Sequence, residues 1–285
     1  LFAPVVVLAG RGDVVIPIRD INPTTRTAWL TLALIAANVA VFLLWEPTFA
    51  EQGTQEAFLF CNAEIPYEVT HQTTLAEGGA EAQQAIEDSY GVGPSAAGGL
   101  QAALRERCPD KSWLGSIFVS MFLHGGFLHI AGNMLFLWIF GNNVEDRLGR
   151  IRFILLYVLG GLAASGLQLA FDPNAAVPNV GASGAIAAIL GSYLILFPRA
   201  RIHTLLIFFF ITFVELPASF VLLAWFVLQL FSGVGGMGNQ VGGGVAYWAH
   251  VGGFVFGMGA TWLFFRSQMR RDTSVPPFPP PPYRY

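Results

Sequence analysis

The sequence predicts an all-α membrane protein with six transmembrane helices and a long acidic loop between the first two. Three observations carry this. The chain is 54% hydrophobic and only 12% charged, with a mean hydropathy of +0.57, a composition outside the range of soluble domains. Apolar runs of about the length that crosses a bilayer recur along it. Its arginines fall in clusters between those runs rather than throughout the chain. The 25 phenylalanines and 32 glycines fit a polytopic membrane chain. Two cysteines, no Cys/His cluster with zinc spacing, no dinucleotide fingerprint and no P-loop leave no metal, cofactor or nucleic acid to expect.

Leu1–Gly10 is apolar but short and lacks a basic start, so it does not read as a signal peptide, and residues 1–14 are expected to be poorly ordered. Residues 1–27 form a polar-ending N-terminal segment. Ala28–Trp45 is the first span. Residues 46–112 are an insertion rich in Glu, Gly, Ala and Gln, with a short helix at Ala80–Ser89 and a loop at Gly91–Gly99. Trp113–His124 reads as an interfacial or re-entrant helix ahead of Gly125-Gly126. Phe127–Gly141, Phe153–Phe171 and Val180–Phe197 are spans two to four. Leu205–Phe213 reads as an interfacial helix, Glu215–Phe231 as span five and Val245–Phe265 as span six. The glycine-rich Ser232–Gly244 between these two spans is a candidate flexible cap. The membrane domain thus covers 28–265, followed by a Pro-rich tail at 266–285, for which the composition supports disorder.

The basic clusters orient these spans. Arg11, Arg19 and Arg26, then Arg147, Arg150 and Arg152, then Arg199 and Arg201, then Arg266, Arg270 and Arg271 all fall on one side if there are six spans. The positive-inside rule makes that side cytoplasmic, with both termini, and puts the acidic 46–112 segment outside. A bridge between Cys61 and Cys108 would persist there and clip a long loop, worth about 2–4 kcal/mol. The alternative is two unpaired thiols.

Three of the five histidines lie in or beside spans, where an ionisable residue is a functional-site hypothesis by default. His71 and His203 read as surface and interfacial residues. His129 and Asn133 are four apart and share a helix face. His250 is followed by Gly253 and Gly257, which make a smooth face for a neighbouring helix. Ser183 lies in Gly181-Ala182-Ser183-Gly184, at the head of span four. By itself that stretch reads first as a packing motif, since small residues let membrane helices approach closely. The topology brings His129, Ser183 and His250 to one level near the outer surface, because spans two, four and six all enter from outside. Ser183 and His250 then form a nucleophile–base pair, while His129, Asn133 and the Ser183 backbone N–H are donors for an oxyanion. No carboxylate in the spans is placed to orient His250, so the chemistry would rest on a dyad.

Together these motifs resemble the rhomboid family of intramembrane serine proteases, of bacterial type. The matches are His124-x4-His129-x3-Asn133, Gly181-x-Ser183-Gly184, Ala249-His250-x2-Gly253-x3-Gly257 and Glu145-x-Arg147. The resemblance implies a rhomboid-like six-helix bundle in the cell membrane with its site open to the outside. It implies Ser183 as nucleophile and His250 as general base, His129, Asn133 and the Ser183 backbone as oxyanion donors, and His124 lining the cavity. It also implies single-span membrane proteins as substrates, membrane lipid as surroundings, and no cofactor. The sequence departs from the family in two places. A tyrosine that stacks on the catalytic histidine in some relatives is Ala187 here, leaving Tyr247, Trp248 or Tyr193 to orient His250. The first external loop carries the insertion. An inactive relative would lack the serine or the histidine, and both are present. A solute transporter would show an internal repeat, and none is visible.

Overall fold

One helix, Ser183–Leu196, is buried along all but one of its residues, and the other long helices surround it. A helix that is apolar all round has no face to offer solvent and takes the centre of a bundle. The computed structural model describes residues 6–8, 13–207, 211–236 and 245–265. In chain order its elements are β1 (Val6–Leu8), β2 (Asp13–Asp20), α1 (Trp29–Ala40, prolonged by a π-turn over Val41–Trp45), α2 (Gln52–Asn62), α3 (Pro66–His71), α4 (Gly79–Tyr90), α5 (Pro94–Arg107) and α6 (Trp113–Ser120). There follow α7 (Phe127–Phe136, prolonged by a π-turn over Leu137–Gly141), α8 (Asn142–Leu148), α9 (Arg150–Phe171), α10 (Ser183–Leu196), β3 (Arg201–Ile207), β4 (Ile211–Pro217), α11 (Ala218–Gly236) and α12 (Tyr247–Phe264).

Two helices, Arg150–Phe171 and Ala218–Gly235, are long and apolar enough to cross a membrane by length and composition. Trp29–Trp45 and Ser183–Leu196 are apolar but shorter. The outward faces of α1, α9, α11 and α12 are apolar, with Leu44, Ile151, Phe220 and Phe264 largely exposed. On a water-soluble chain so much exposed apolar surface would mark an interaction site; here it runs along helix after helix, as a lipid-facing surface does.

Without a hydrophobic drive between helices in lipid, close packing has to come from small residues. A Cβ built on Gly253 would lie 2.1 Å from the Gly184 carbonyl oxygen, and one on Gly257 would lie 1.9 Å from that of Ala188. On the facing helix a Cβ on Gly191 would lie 2.1 Å from the Phe254 oxygen. The backbones of α10 and α12 therefore touch, as the glycine spacing after His250 predicts. At the other end, Glu145 accepts hydrogen bonds from the Leu30 N–H at 3.0 Å and from the Thr31 N–H and hydroxyl at 2.7 and 2.9 Å. A carboxylate at the orphan N–H groups that open α1 satisfies them and complements the helix dipole. Arg147 of the same motif lies over the Phe197 ring.

The structure corrects the all-α expectation. β1 to β4 form one antiparallel sheet in sequence order. Of residues 205–213, expected as an interfacial helix, 205–207 belong to β3 and 211–213 to β4, and α11 starts at Ala218, so Glu215 is in a strand and pairs with Arg201 at 3.5 Å. The run is rich in Ile, Thr, Phe and Val, which suit a pleated surface. Exposure along β4 alternates residue by residue, a period of two hidden in the sequence by apolar residues on both faces. The polar segment expected at 17–27 supplies β2, with Pro17 at an irregularity in the pairing, where a missing N–H is tolerated.

The 46–112 segment is likewise more ordered than expected. It folds into α2 to α5 around its own core of Ile65, Tyr67, Leu75, Ile86, Ala97 and Leu104. The loop expected at Gly91–Gly99 gives way to α5, with Pro94 in the first turn, where its fixed φ suits a helix. A disulfide joins Cys61 to Cys108. Lys111 and Glu68 form a buried ion pair at 2.6 Å. The helix expected over Phe127–Gly141 runs on through α8 to Leu148, and Gly149 at φ +80° makes the sharp turn into α9. Residues 237–244 of the expected glycine-rich cap, the 266–285 tail, and much of 1–14 lie outside the described residues.

Two stability measurements check this picture. Gly257→Ala forces a methyl into the Ala188 carbonyl, and is expected to lower stability by about 1–3 kcal/mol in detergent unfolding; an unchanged midpoint would show that α10 and α12 are further apart. Asp20 is buried and accepts from the Tyr193 hydroxyl at 2.9 Å and from Asn143. Burial pushes its carboxyl from the ordinary 3.8 up to about 6, against the lowering effects of the Tyr193 hydrogen bond and the Arg19 charge. The folded state therefore holds this proton more tightly. The associated stability is complete below about pH 4 and is lost as the pH rises through about 6. Asp20→Asn is expected to flatten that stretch of a melting-temperature profile.

Candidate active site

Ser183 is the first residue of α10, capped by Ala182 with no side-chain bond. In that position its own N–H has no carbonyl one turn back to donate to. His250 enters from the second turn of α12. The α10–α12 contact sets the separation between them: His250 Nε2 lies 2.9 Å from Ser183 Oγ. His250 Nδ1 lies 2.7 Å from Gln229 Oε1 of α11. An amide oxygen only accepts, so Nδ1 carries the ring proton and Nε2 presents its lone pair to the serine hydroxyl. Ser183 is 8% exposed and His250 3%.

Gln229 is the residue that sequence reasoning missed. It is a buried polar side chain inside an otherwise apolar span. That is the signal that could have found it, since polar groups inside a span face partners rather than lipid. Two of the candidates named for orienting His250 are engaged elsewhere. Tyr193 donates to Asp20, and Trp248 stacks on Phe171 with ring centroids 3.7 Å apart. The Trp225 ring does lie beside His250, at 5.8 Å. Ala187 is buried.

The other predicted residues gather around the serine. Gly181 adopts φ +125°, which requires glycine. A Cβ built there would lie 2.9 Å from His129 Nε2 and 3.5 Å from Ser183 Oγ. The bare glycine therefore keeps open the gap between the histidine and the nucleophile. His129 Nδ1 accepts from the Gly125 N–H at 3.2 Å, which leaves the proton of the neutral ring on Nε2, on the serine side. The His124 ring stands edge-on to that of His129, with centroids 5.2 Å apart. Asn133 is fully buried one turn below, and its amide donates to the His129 carbonyl at 3.2 Å. Gly253 and Gly257 belong to the helix contact rather than to the cavity. Cys61 and Cys108 lie in the insertion.

Two carboxylates of the acidic 46–112 segment are also buried. Glu46 accepts from the His124 N–H at 3.1 Å. Glu64 accepts from the Ser165 hydroxyl at 2.7 Å, and burial pushes its carboxyl up to about 7 against that hydrogen bond. A cavity of about 50 Å³ beside Ser183 is lined by Glu64, Ser120, Ser165 and Gln168 among others. Among the described residues, no His, Cys, Asp and Glu cluster could hold a metal ion.

Fold and site together define a membrane-helix bundle with a serine–histidine pair in its interior. The chain belongs to the rhomboid family: the Rhomboid domain model matches residues 111–267. The chain is 33% identical to Rhomboid protein 1, mitochondrial, of Saccharomyces cerevisiae over 158 residues, which is 53% of this chain and 42% of that protein. It is 27% identical to RHOMBOID-like protein 6, mitochondrial, of Arabidopsis thaliana over 229 residues, 75% of this chain and 67% of that one. A shorter stretch of 72 residues is 43% identical to Rhomboid protease GluP of Bacillus subtilis, covering 25% of this chain and 14% of the relative. The chain thus spans less than half the length of the yeast relative. The relatives come from yeast, plant and bacterium, so they define the family rather than a bacterial subtype. Rhomboid proteins are integral to membranes and generally intramembrane serine proteases.

The Nδ1 contact gives a prediction that needs no catalysis. Gln229→Leu leaves a buried imidazole N–H without its acceptor, and is expected to cost about 1–3 kcal/mol in thermal unfolding. Gln229→Glu, which keeps the acceptor, is expected to retain the ring tautomer as read by NMR. Loss of the tautomer in Gln229→Glu alone would contradict the assignment.

Proposed function

We propose that this chain is an intramembrane serine endopeptidase that cuts membrane proteins in or near their transmembrane segment. The observation that carries this is the 2.9 Å contact between Ser183 Oγ and His250 Nε2 in a buried site, with the other ring nitrogen held by Gln229. Family membership supports the reaction class.

Ser183 Oγ attacks the scissile carbonyl carbon while His250 Nε2 takes the hydroxyl proton. Negative charge gathers on the carbonyl oxygen, for which the donors are His129 Nε2–H, the Ser183 N–H and the remaining amide N–H of Asn133. The intermediate collapses by breaking the C–N bond, and His250 returns its proton to the leaving amine. Water then attacks the acyl ester, losing a proton to His250, and as the ester C–O bond breaks His250 returns that proton to Ser183 Oγ and the acid product leaves. The role of Gln229 is that of the third member of a triad without its charge. It fixes the ring and tautomer, but offers the imidazolium only a dipole.

In this reading six spans cross the membrane, both termini are cytoplasmic, and the site opens to the outside. The arginine clusters of the sequence support that orientation. Substrates are single-span proteins whose helix unwinds to present a carbonyl. Gly or Pro near the cut lowers helix stability by about 1 and 3 kcal/mol and eases that step.

The test is cleavage of a single-span substrate by purified protein in detergent, wild type beside Ser183→Ala and His250→Ala. Both variants are expected to lose cleavage while keeping their melting temperature. Cleavage that survives Ser183→Ala would reduce the serine to a packing residue. Gln229→Ala is expected to lower kcat by about 10- to 100-fold with little change in KM, because an orienting contact acts in the transition state.

A further inference from the structure

We infer that the 46–112 insertion is a positioning element for the nucleophile, and that Glu64 is the residue through which it acts; this rests on the protease reading. The connector between α9 and α10, residues 172–182, leads directly into Ser183. It is not a free loop. The Thr70 hydroxyl donates to the Pro173 carbonyl at 2.6 Å, and the Tyr67 N–H donates to the Ala175 carbonyl at 3.0 Å. The Ala176 N–H donates to the Ser89 hydroxyl at 2.8 Å, and the Asn179 N–H to the Glu64 carbonyl at 2.7 Å. Ala176 is itself fully buried in the core of the insertion, beside Ile65 and Leu75. Thus the insertion holds the connector from α3, α4 and the α2–α3 link.

Glu64 lines the same small cavity as Ser183. Its backbone N–H donates to the Ser120 hydroxyl of α6, and its carboxylate accepts from Ser165 of α9. The Ser120 carbonyl in turn accepts from the Gly181 N–H at 2.9 Å. One residue therefore joins α6, α9 and the stretch of connector that runs from Asn179 to Gly181. Gly181 is the position whose backbone sets the gap between His129 and Ser183. The Cys61–Cys108 disulfide, three residues before Glu64, ties the end of α2 to the approach to α6 and holds this crossing in place. Residues 46–110 of the insertion lie before the 111–267 region that the family model covers, so the brace on the stretch leading into the nucleophile comes from outside the matched domain.

Glu64 does not touch the reacting atoms; it is a positioning residue. The experiment uses the full chain with Glu64→Ala, Glu64→Gln and Ser89→Ala. Amide hydrogen exchange is read in a Ser183→Ala background, where activity plays no part. Cleavage kinetics are read with Ser183 intact. Glu64→Ala and Ser89→Ala are expected to speed exchange at Asn179 and Gly181. They are also expected to lower kcat by about 10- to 100-fold, the scale on which a small displacement of a reacting group acts. KM should stay within about twofold. Glu64→Gln, whose amide oxygen still accepts from Ser165, is expected to restore both readouts. Unchanged exchange and unchanged kcat in the folded Ala variants would overturn the inference. If Glu64→Ala does not fold, Ser89→Ala decides alone. Altered exchange with no cleavage by wild type would overturn the protease reading and leave the coupling standing.

Discussion

Everything in this molecule depends on two helix backbones lying in direct contact. α10 and α12 approach so closely that a methyl on Gly253, Gly257 or Gly191 would overlap a carbonyl group of the other helix. In lipid, where apolar side chains gain nothing by turning inward, such contact is the main source of helix association. Its consequence is chemical. Ser183 heads one helix and His250 lies in the other, so a contact fixed at backbone precision fixes the hydroxyl on the imidazole. A site assembled from long side chains on loops would not hold that distance.

Several of the polar groups around the pair are placed by a partner outside their own helix. Gln229 of α11 holds His250, Gly125 before α7 holds His129, and Glu46 at the end of α1 holds the backbone of His124. In a low-dielectric interior an unmatched polar group is costly and a matched one is rigid. Orientation by an amide rather than a carboxylate avoids burying a net charge beside the histidine, for which desolvation would be severe.

The same logic extends to both ends of the bundle. On one side the sheet brings Asp20 against Tyr193 and Asn143, tying the N-terminal strand to the base of α10. On the other, the insertion adds a second small core, a disulfide and a buried ion pair, and the connector into Ser183 is folded against it. The central helix is thus anchored at both ends by parts of the chain that precede the family domain.

The sequence by itself determined the membrane character, the helices around the centre, and the serine, histidines and glycines of the site, because each rests on local information. Apolar runs have a length, glycines on one helix face have a spacing, and chemistry needs particular residue types. It misled where the deciding neighbour is distant. An apolar run at 201–217 became two strands because β2, nearly two hundred residues earlier, offered an edge to pair with. Nothing in the acidic segment set Glu46 and Glu64 apart from its other glutamates, and only packing buried them. Gln229 was visible as a polar residue in a span, but its partner was not, because spacing along one helix says nothing about which face of another it meets. The tertiary structure alone decided those pairings, since a hydrogen bond across helices depends on how backbones cross, which the glycines permit without specifying.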